Sequence, residues 1–307
     1  MQKSLKYHRS FAKIDLTAIK ENFIALKGCI SDGTKTMAIV KANAYGHGAV
    51  RVAKLLENMA DYFAVADIQE ALELRENGIK NPILILSYTS SYHYEELVAN
   101  NIISTIYSLE DARKLSQLAV EMNKNAVVHI AVDTGMNRIG FKDTDESADI
   151  IKRISELSNV VIDGVFTHFA SADCKDKTFM HIQQKRFADF LEKLESRGVD
   201  IPLKHCCNSA AIIDSDCHYD MVRMGIALYG MFIAIVIPPA KKQRNVMWTV
   251  VFAIILSLVF NFVPILSGIS SGWATIIITV AVSALAATLF PIITVPKSAE
   301  EGENSEI

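Results

Sequence analysis

Charge is what the last part of this chain lacks: from Asn245 to Pro296 there is no Asp, Glu, Lys, Arg or His. The residues before Met231 carry the ordinary density of a water-facing domain, so the chain is built of two kinds of material. An excess of basic charge is also missing. With 31 basic and 34 acidic side chains the formal net charge is -3, which excludes a strongly basic nucleic-acid binder. Cysteine is sparse and odd in number: Cys29, Cys174, Cys206, Cys207 and Cys217 read as free thiols, not as a disulfide framework. His205-Cys206-Cys207 with Cys217-His218 is the nearest approach to a metal cluster. Adjacent cysteines lack the chelating C-x-x-C spacing, so no metal is expected. The opening segment MQKSLKYHRSFAKIDL has no continuous apolar stretch, which argues against a secretory signal.

The charge-free stretch holds two apolar runs, Val246 to Leu266 and Trp273 to Val295, parted by the polar break Ser267 to Gly272. Each suffices for a spanning helix, which needs about 20 apolar residues. A transmembrane-like two-helix hairpin over 231–296 is the natural reading. A buried hairpin in a soluble protein is the alternative. Lys241, Lys242 and Arg244 precede the first run, and a Lys/Arg excess marks the cytoplasmic side. The N-terminal domain, 1–230, is therefore expected in the cytoplasm, with membrane association through 246–295 anchoring it to the inner membrane. The acidic tail 297–307 is expected to be disordered.

Between residues 36 and 230, short β-rich apolar runs alternate with helical-period segments. The expected strands are Thr36–Val40, Tyr62–Ala66, Ile83–Ser87, Ile103–Tyr107, Ala126–Val132, Val160–Phe166, Leu203–Cys207 and Met221–Ala227. Helices are expected at Leu16–Ile30, at Ser108–Met122 behind a Ser-Leu-Glu-Asp capping signal, and at Phe179–Leu194. Alternation implies parallel strands with right-handed crossovers. Eight repeats suit a closed α/β barrel of the (β/α)8 TIM type better than an open sheet. The first helix could cover the barrel where no clear helix follows the eighth strand.

Reactive groups of such a barrel gather at the C-terminal ends of its strands. There stand Lys41 after the first strand, Arg138 after the fifth, His168 after the sixth, Asn208 and Ser209 after the seventh, and Arg223, Gly225 and Ile226 in the eighth. A lysine ending an apolar strand either snorkels to solvent or is desolvated, and in the second case becomes a Schiff-base nucleophile. Asn208-Ser209 and Gly225-Ile226 offer a hydroxyl and backbone amides where barrels bind phosphate. An aldehyde cofactor bearing a phosphate needs both, and pyridoxal 5'-phosphate fits.

The stretches Val40-Lys41-Ala42-Asn43-Ala44-Tyr45-Gly46-His47-Gly48, Asp133-Thr134-Gly135-Met136-Asn137-Arg138-Ile139-Gly140, Thr167-His168-Phe169-Ala170, Asn208-Ser209-Ala210-Ala211 and Arg223-Met224-Gly225-Ile226-Ala227-Leu228-Tyr229-Gly230 resemble, in order, the motifs of the bacterial alanine racemase N-terminal barrel. The resemblance covers residues 12 to 230. It implies that Lys41 holds pyridoxal 5'-phosphate covalently and serves as one of two catalytic bases. It implies further that Tyr45, Ser209, Gly225 and Ile226 hold the phosphate, Arg138 the phenolic oxygen and His168 the ring environment, with Asn208 supporting the phosphate end. Arg223 would face the pyridine nitrogen. A guanidinium cannot readily yield its proton, so the ring would be a weaker electron sink than one paired with a carboxylate.

Racemisation needs an acid–base group on each face of the α-carbon. In the racemase family the second is a tyrosine of a C-terminal β-domain, presented across a dimer interface. Here the chain passes from Tyr229-Gly230 into Met231-Phe232-Ile233-Ala234-Ile235-Val236-Ile237-Pro238-Pro239 and the hydrophobic runs, a stretch that resembles the last segments of branched-chain amino-acid exporters of the azaleucine-resistance type. The chain thus reads as a racemase barrel joined near Ala227–Met231 to an exporter-like fragment. Ala131 is a further departure, standing where many racemases have a carbon dioxide-modified lysine. The implied function is interconversion of L- and D-alanine for peptidoglycan, impaired in this form, with any homodimer weakened. Two other classes stay open: a non-catalytic pyridoxal phosphate-binding barrel, and a membrane-tethered fusion or transporter fragment.

Overall fold

The computed structural model describes residues 13–215 and 218–229, with residues 252, 255, 256 and 288 besides. The chain divides into two compact units, 1–230 and 231–307. The hairpin expected over 246–295, the junction beyond Tyr229, the acidic tail and Cys217 lie outside the described residues, the few named positions excepted. Among the described residues no helix is long and apolar enough to cross a membrane.

The described residues of the first unit hold nine strands, β1 Lys35–Ile39, β2 Tyr62–Val65, β3 Ile83–Ile85, β4 Ser104–Ile106, β5 Ala126–Asp133, β6 Phe141–Lys142, β7 Val160–Phe166, β8 Leu203–His205 and β9 Met221–Met224. Every pairing is parallel. Hydrogen-bonded ladders run β3-β2-β1-β9 and β4-β5-β7-β8, with β6 a two-residue addition on β5 that the sequence pattern did not suggest. Backbone bonds join the two ladders into a ring. On one side Ile85 N and Ile103 N donate across β3 and β4 at 2.9 and 2.8 Å; on the other Arg223 N donates to Cys207 O at 3.0 Å. The expected eightfold closure is thus present in the backbone.

Each barrel strand leads into a helix, as crossover geometry requires. Capping side chains at the strand-to-helix turns set where these begin. Asp67 accepts from Glu70 N, Ser108 from Asp111 N and Thr144 from Ser147 N, each such cap contributing about 1 kcal/mol. Helix Leu16–Lys27 precedes β1 and buries Ile19, Phe23 and Leu26. Its Asn22 Nδ2 donates to Leu228 O at 3.0 Å, so it covers the one-turn helix Ile226–Tyr229 that follows β9. That turn corrects the expected eighth strand, which stops at Met224 and not at Ala227. The reason is local: Ser209 Oγ accepts from both Gly225 N and Ala227 N and draws the backbone into a turn.

The barrel interior is divided. Met37, Ile39, Tyr62, Ala64, Leu84, Ile103, Leu203 and Met221 fill one part with apolar side chains. The opposite wall, from β5, β7, β8 and β9, instead buries His129, His205 and Arg223. Gly164 makes room for this. A Cβ there would lie 2.6 Å from the His129 ring. The β5–β7 register also skips Asp163, pairing Val128 with Ile162 and His129 with Gly164. An irregularity of this kind re-aims side chains, and Asp163 meets His129 at 3.1 Å.

Candidate active site

Lys41 opens the turn after β1, and the backbone beyond it is left-handed. Ala42, Asn43, Ala44 and Tyr45 have φ of 51, 52, 53 and 52°. Such a conformation costs roughly 1–2 kcal/mol per residue and persists only where surroundings fix it. The fixing groups are visible. Ala44 N donates to Val40 O at 2.8 Å and Gly46 N to Ala42 O at 3.0 Å. Asn43 Oδ1 accepts from Ala49 N at 2.8 Å. Glu70, from helix Ile68–Glu76, accepts from Ala42 N through Oε1 at 2.6 Å and from Ala66 N through Oε2 at 2.7 Å. The consequence is a half-buried lysine on a rigid pedestal. Its ammonium is disfavoured by burial and by Arg138 and Arg223, and favoured by Glu70, with a net shift downward.

Arg223 lies at the centre of the polar wall and is 4% exposed. Its Nη1 donates to His205 Nδ1 at 2.8 Å and to His205 O at 3.1 Å; its Nη2 donates to Thr167 O at 2.8 Å and to Cys206 O at 2.9 Å. The Nε–H donates to none of the described residues. Burial lowers the guanidinium pKa to about 10, which still leaves it charged at neutral pH. Since Arg can only donate, His205 Nδ1 must accept, and its Nε2 carries the proton. His205 Nε2 then donates to His129 Nδ1 at 3.0 Å, and His129 Nε2 to Asp163 Oδ2 at 3.1 Å. Tyr62 Oη donates to the same carboxylate oxygen at 3.0 Å. A single direction of donation thus runs from Arg223 to Asp163, with two neutral histidines between two ionised ends.

The phosphate-type groups converge at the end of β9. An atom built at the Cβ position of Gly225 lies 3.6 Å from both Ser209 Oγ and Tyr45 Oη. Ile226, 48% exposed, follows it. Asn208 acts one step back: its Oδ1 caps helix Ser209–Asp214 through Ala211 N, and its Nδ2 donates to Phe169 O. Tyr45 packs on Tyr229, ring centroids 5.3 Å apart, while Tyr229 Oη donates to Ile39 O.

Arg138 and His168 come from the loops after β5 and β7. Asp133 Oδ1 accepts from Gly135 N and Asn137 N, and Lys142 binds its Oδ2 at 2.6 Å. Gly140 is dictated by closeness, since a Cβ would fall 2.7 Å from Asp133 N. Arg138 is exposed and Ala131 buried, and no described side chain hydrogen-bonds the guanidinium. His168 is held neutral, its pKa pushed down to about 3 by burial, Arg223, Arg138 and Lys41.

All nine expected site residues therefore fall at one end of the barrel, either in the cationic group of Lys41, Arg138 and Arg223 or around Gly225. Sequence reading missed Glu70, His129, Asp163 and Gln183, and assigned His205 only to a weak metal cluster. Gln183 is fully buried and ties the two loops, accepting from Ala170 N and donating to His168 O and Thr134 Oγ1. Polar residues within apolar runs, as in Val128-His129-Ile130, are the signal that could have found part of this set. Among the described residues no His, Cys, Asp and Glu group could hold a metal ion.

Acid is expected to loosen this site. His129, His205 and His168 are all shifted downward, chiefly by burial. Below their ordinary pKa of 6.5 the unfolded chain takes up protons that the folded chain refuses. Stability is therefore complete above about pH 6.5 and falls as the pH drops. Urea midpoints measured from pH 7.5 down to 4.5 should decline steadily, and a flat profile would refute neutral burial of these rings.

The model of the alanine racemase N-terminal domain family matches residues 14–232. An alanine racemase of Methanococcus maripaludis is 48% identical over 227 residues, covering 73% of this chain and 61% of that protein. Alanine racemase 2 of Caldanaerobacter subterraneus is 46% identical over 222 residues, covering 72% and 57%. Among solved structures, alanine racemase of Clostridium difficile 630 in complex with cycloserine superposes with a TM-score of 0.70 at 43% identity, covering 70% of this chain and 60% of that one. The chain thus spans about three fifths of the length of the curated relatives it matches.

Proposed function

Because the chain belongs to the alanine racemase N-terminal domain family, we propose that its barrel is a pyridoxal phosphate-dependent amino-acid racemase domain acting on alanine. The observation that carries this reading is the half-buried Lys41, whose amine is made less basic beside Arg138 and Arg223. Pyridoxal phosphate is the family's cofactor, and the residues fit it. Three cations facing a single carboxylate, Glu70, suit a ligand bearing a phosphate and a phenolate. Lys41 would hold the cofactor through its amine. Tyr45, Ser209 and the backbone at Gly225 and Ile226 would hold the phosphate, with Asn208 fixing Ser209. Arg138 would take the phenolic oxygen, and the uncommitted Nε–H of Arg223 the ring nitrogen. When bound, the cofactor supplies an electron sink that acidifies the α-proton of an amino acid. Arg223, charged, would keep the ring nitrogen without a proton, and neutral His168 would add no further charge.

Lys41 is the base for the α-carbon on one face. The barrel motifs supply no second base for the opposite face, so the chain is expected to exchange the α-proton faster than it inverts the centre. Incubation with L-alanine in deuterium oxide, followed by NMR for exchange and chiral chromatography for inversion, tests this. Inversion as fast as exchange would overturn the single-base reading. Borohydride trapping with peptide mapping tests the site, and label elsewhere than Lys41 would sink the assignment. Cofactor retention at Lys41 with neither exchange nor inversion would favour a non-catalytic binding barrel. The same reading places the barrel in the cytoplasm, with any homodimer weak.

The charge-free sequence from Asn245 to Pro296 favours a second element, an exporter-like two-helix membrane tether. The full chain, expressed and fractionated, should stay in the membrane pellet after an alkaline carbonate wash. Recovery in the supernatant would remove the tether.

A further inference from the structure

We propose that Glu70 is the positioning residue for Lys41, clamping the left-handed turn that follows the lysine to the end of β2 and setting its carboxylate against the residue next to the lysine. The inference rests on the reading of Lys41 as the cofactor lysine, and goes beyond it by assigning a residue outside every motif of the mouth.

The geometry is bidentate and committed. Glu70 Oε1 takes the N–H of Ala42, the first left-handed residue, at 2.6 Å, and Oε2 takes the N–H of Ala66, just past β2, at 2.7 Å. One carboxylate thus bridges the first two strand ends, and each oxygen answers one amide. An ionised carboxylate is the side chain suited to this, because it accepts on both oxygens and donates on neither. Glutamine would set an NH2 group against one of the two N–H donors. Asparagine and aspartate lack a methylene of the needed reach. Helix Ile68–Glu76 fixes the approach: Asp67 caps it by accepting from Glu70 N at 3.0 Å, so the glutamate's own backbone is anchored one turn from its carboxylate. The clamp offsets part of the backbone strain of four consecutive left-handed residues.

The second role follows from charge. Lys41 is faced by Arg138 from the loop after β5, by Arg223 from β9, by neutral His168 from the loop after β7 and by Glu70 from the helix after β2. Burial and both guanidiniums drive its proton off; Glu70 opposes them. Removing the anion makes the amine a weaker base. At a given pH more of it is then unprotonated and able to attack an aldehyde.

The test uses the full chain as wild type, Glu70→Gln and Glu70→Asp. Each is incubated with pyridoxal phosphate at a series of pH values, trapped with borohydride and mapped for label at Lys41. Glu70→Gln should move the labelling midpoint to lower pH by roughly one unit, an opposite charge nearby being worth about that much. Glu70→Asp keeps the charge but cannot span both amides, so its midpoint should stay near wild type while its labelling slows several-fold. A Gln midpoint equal to or above wild type would overturn the charge role. Residue-resolved amide hydrogen exchange without cofactor reads the clamp alone: each variant can keep at most one of the two bonds, so at least one of Ala42 and Ala66 should exchange up to about tenfold faster in each, one lost hydrogen bond being worth about that factor. Unchanged protection would overturn the clamp. If wild type takes label elsewhere, the cofactor reading fails and the charge role with it, whereas the exchange result still decides the clamp.

Discussion

Replacing Lys41 by alanine is expected to abolish covalent retention of pyridoxal phosphate and to slow α-proton exchange of alanine by about a thousandfold or more, the usual worth of a positioned base. The expectation follows from placement, since the amine is half-buried, made less basic by burial and by Arg138 and Arg223, and stands on a turn held by Glu70. Lys41→Arg should be as inert as Lys41→Ala, because a guanidinium keeps its charge and cannot serve as nucleophile or base. Stability should not fall in step. Taking one cation from between two others relieves repulsion, so the urea midpoint of Lys41→Ala should equal or exceed that of wild type. Exogenous methylamine should restore part of the exchange by supplying the missing amine. Retention of more than a tenth of wild-type exchange in Lys41→Ala would remove the lysine from its assigned role.

The strand order and the location of the mouth were legible in the sequence because both follow from periodicity. Eight short apolar runs spaced by helical segments leave few alternatives to a closed parallel ring, and polar residues at the ends of those runs must then share one rim. Individual bounds moved by a residue or two, most at the eighth run, where the hydroxyl of Ser209 draws Gly225 and Ala227 out of the strand. What was not legible depends on contacts between distant segments. Glu70 lies in Gln69-Glu70-Ala71-Leu72-Glu73, which reads as the solvated face of a helix, and only packing against the first strand end gives its carboxylate two amides. Ala42-Asn43-Ala44-Tyr45 has no glycine to announce positive φ; the left-handed path is imposed by its partners. Asp163 reaches His129 because the ladder skips a residue between β5 and β7, a register event that alternation does not reveal. His205 was readable as a potential ligand but not as a link in a chain. Its partners come from β5 and β9, 76 residues before it and 18 after.

Arg223→Leu is expected to destabilise the barrel by about 3–5 kcal/mol, the cost of breaking a buried charged network from one side. The side chain is 4% exposed, and it donates to three backbone carbonyls and to His205 Nδ1. Leucine fills some of the volume yet takes the donor from Thr167 O, Cys206 O and His205 Nδ1, while His205 O keeps Thr167 N at 3.3 Å; each unmet acceptor costs about 1–3 kcal/mol before relaxation. Relaxation has one evident route. His205 can move its proton from Nε2 to Nδ1 and donate to a freed carbonyl, but His129 Nδ1 then loses its donor, so the defect passes along the chain toward Asp163. Nitrogen-15 spectra of the imidazoles should therefore show His205 protonated on Nε2 in wild type and on Nδ1 in the variant. Arg223→Lys should fall between, since an ammonium has three donors where four are used and lacks the planar fork that reaches two strands at once. The measurement is the urea midpoint of the chain without cofactor, read at unchanged slope, so that loss of a ring-nitrogen contact cannot contribute. A loss under about 1 kcal/mol would mean that the carbonyls find other donors. If the loss is as large as expected, the guanidinium proposed to face the cofactor's ring is also what fixes the proton positions of the barrel wall. Its charge could not then be exchanged for a carboxylate without rebuilding His205, His129 and Asp163 together.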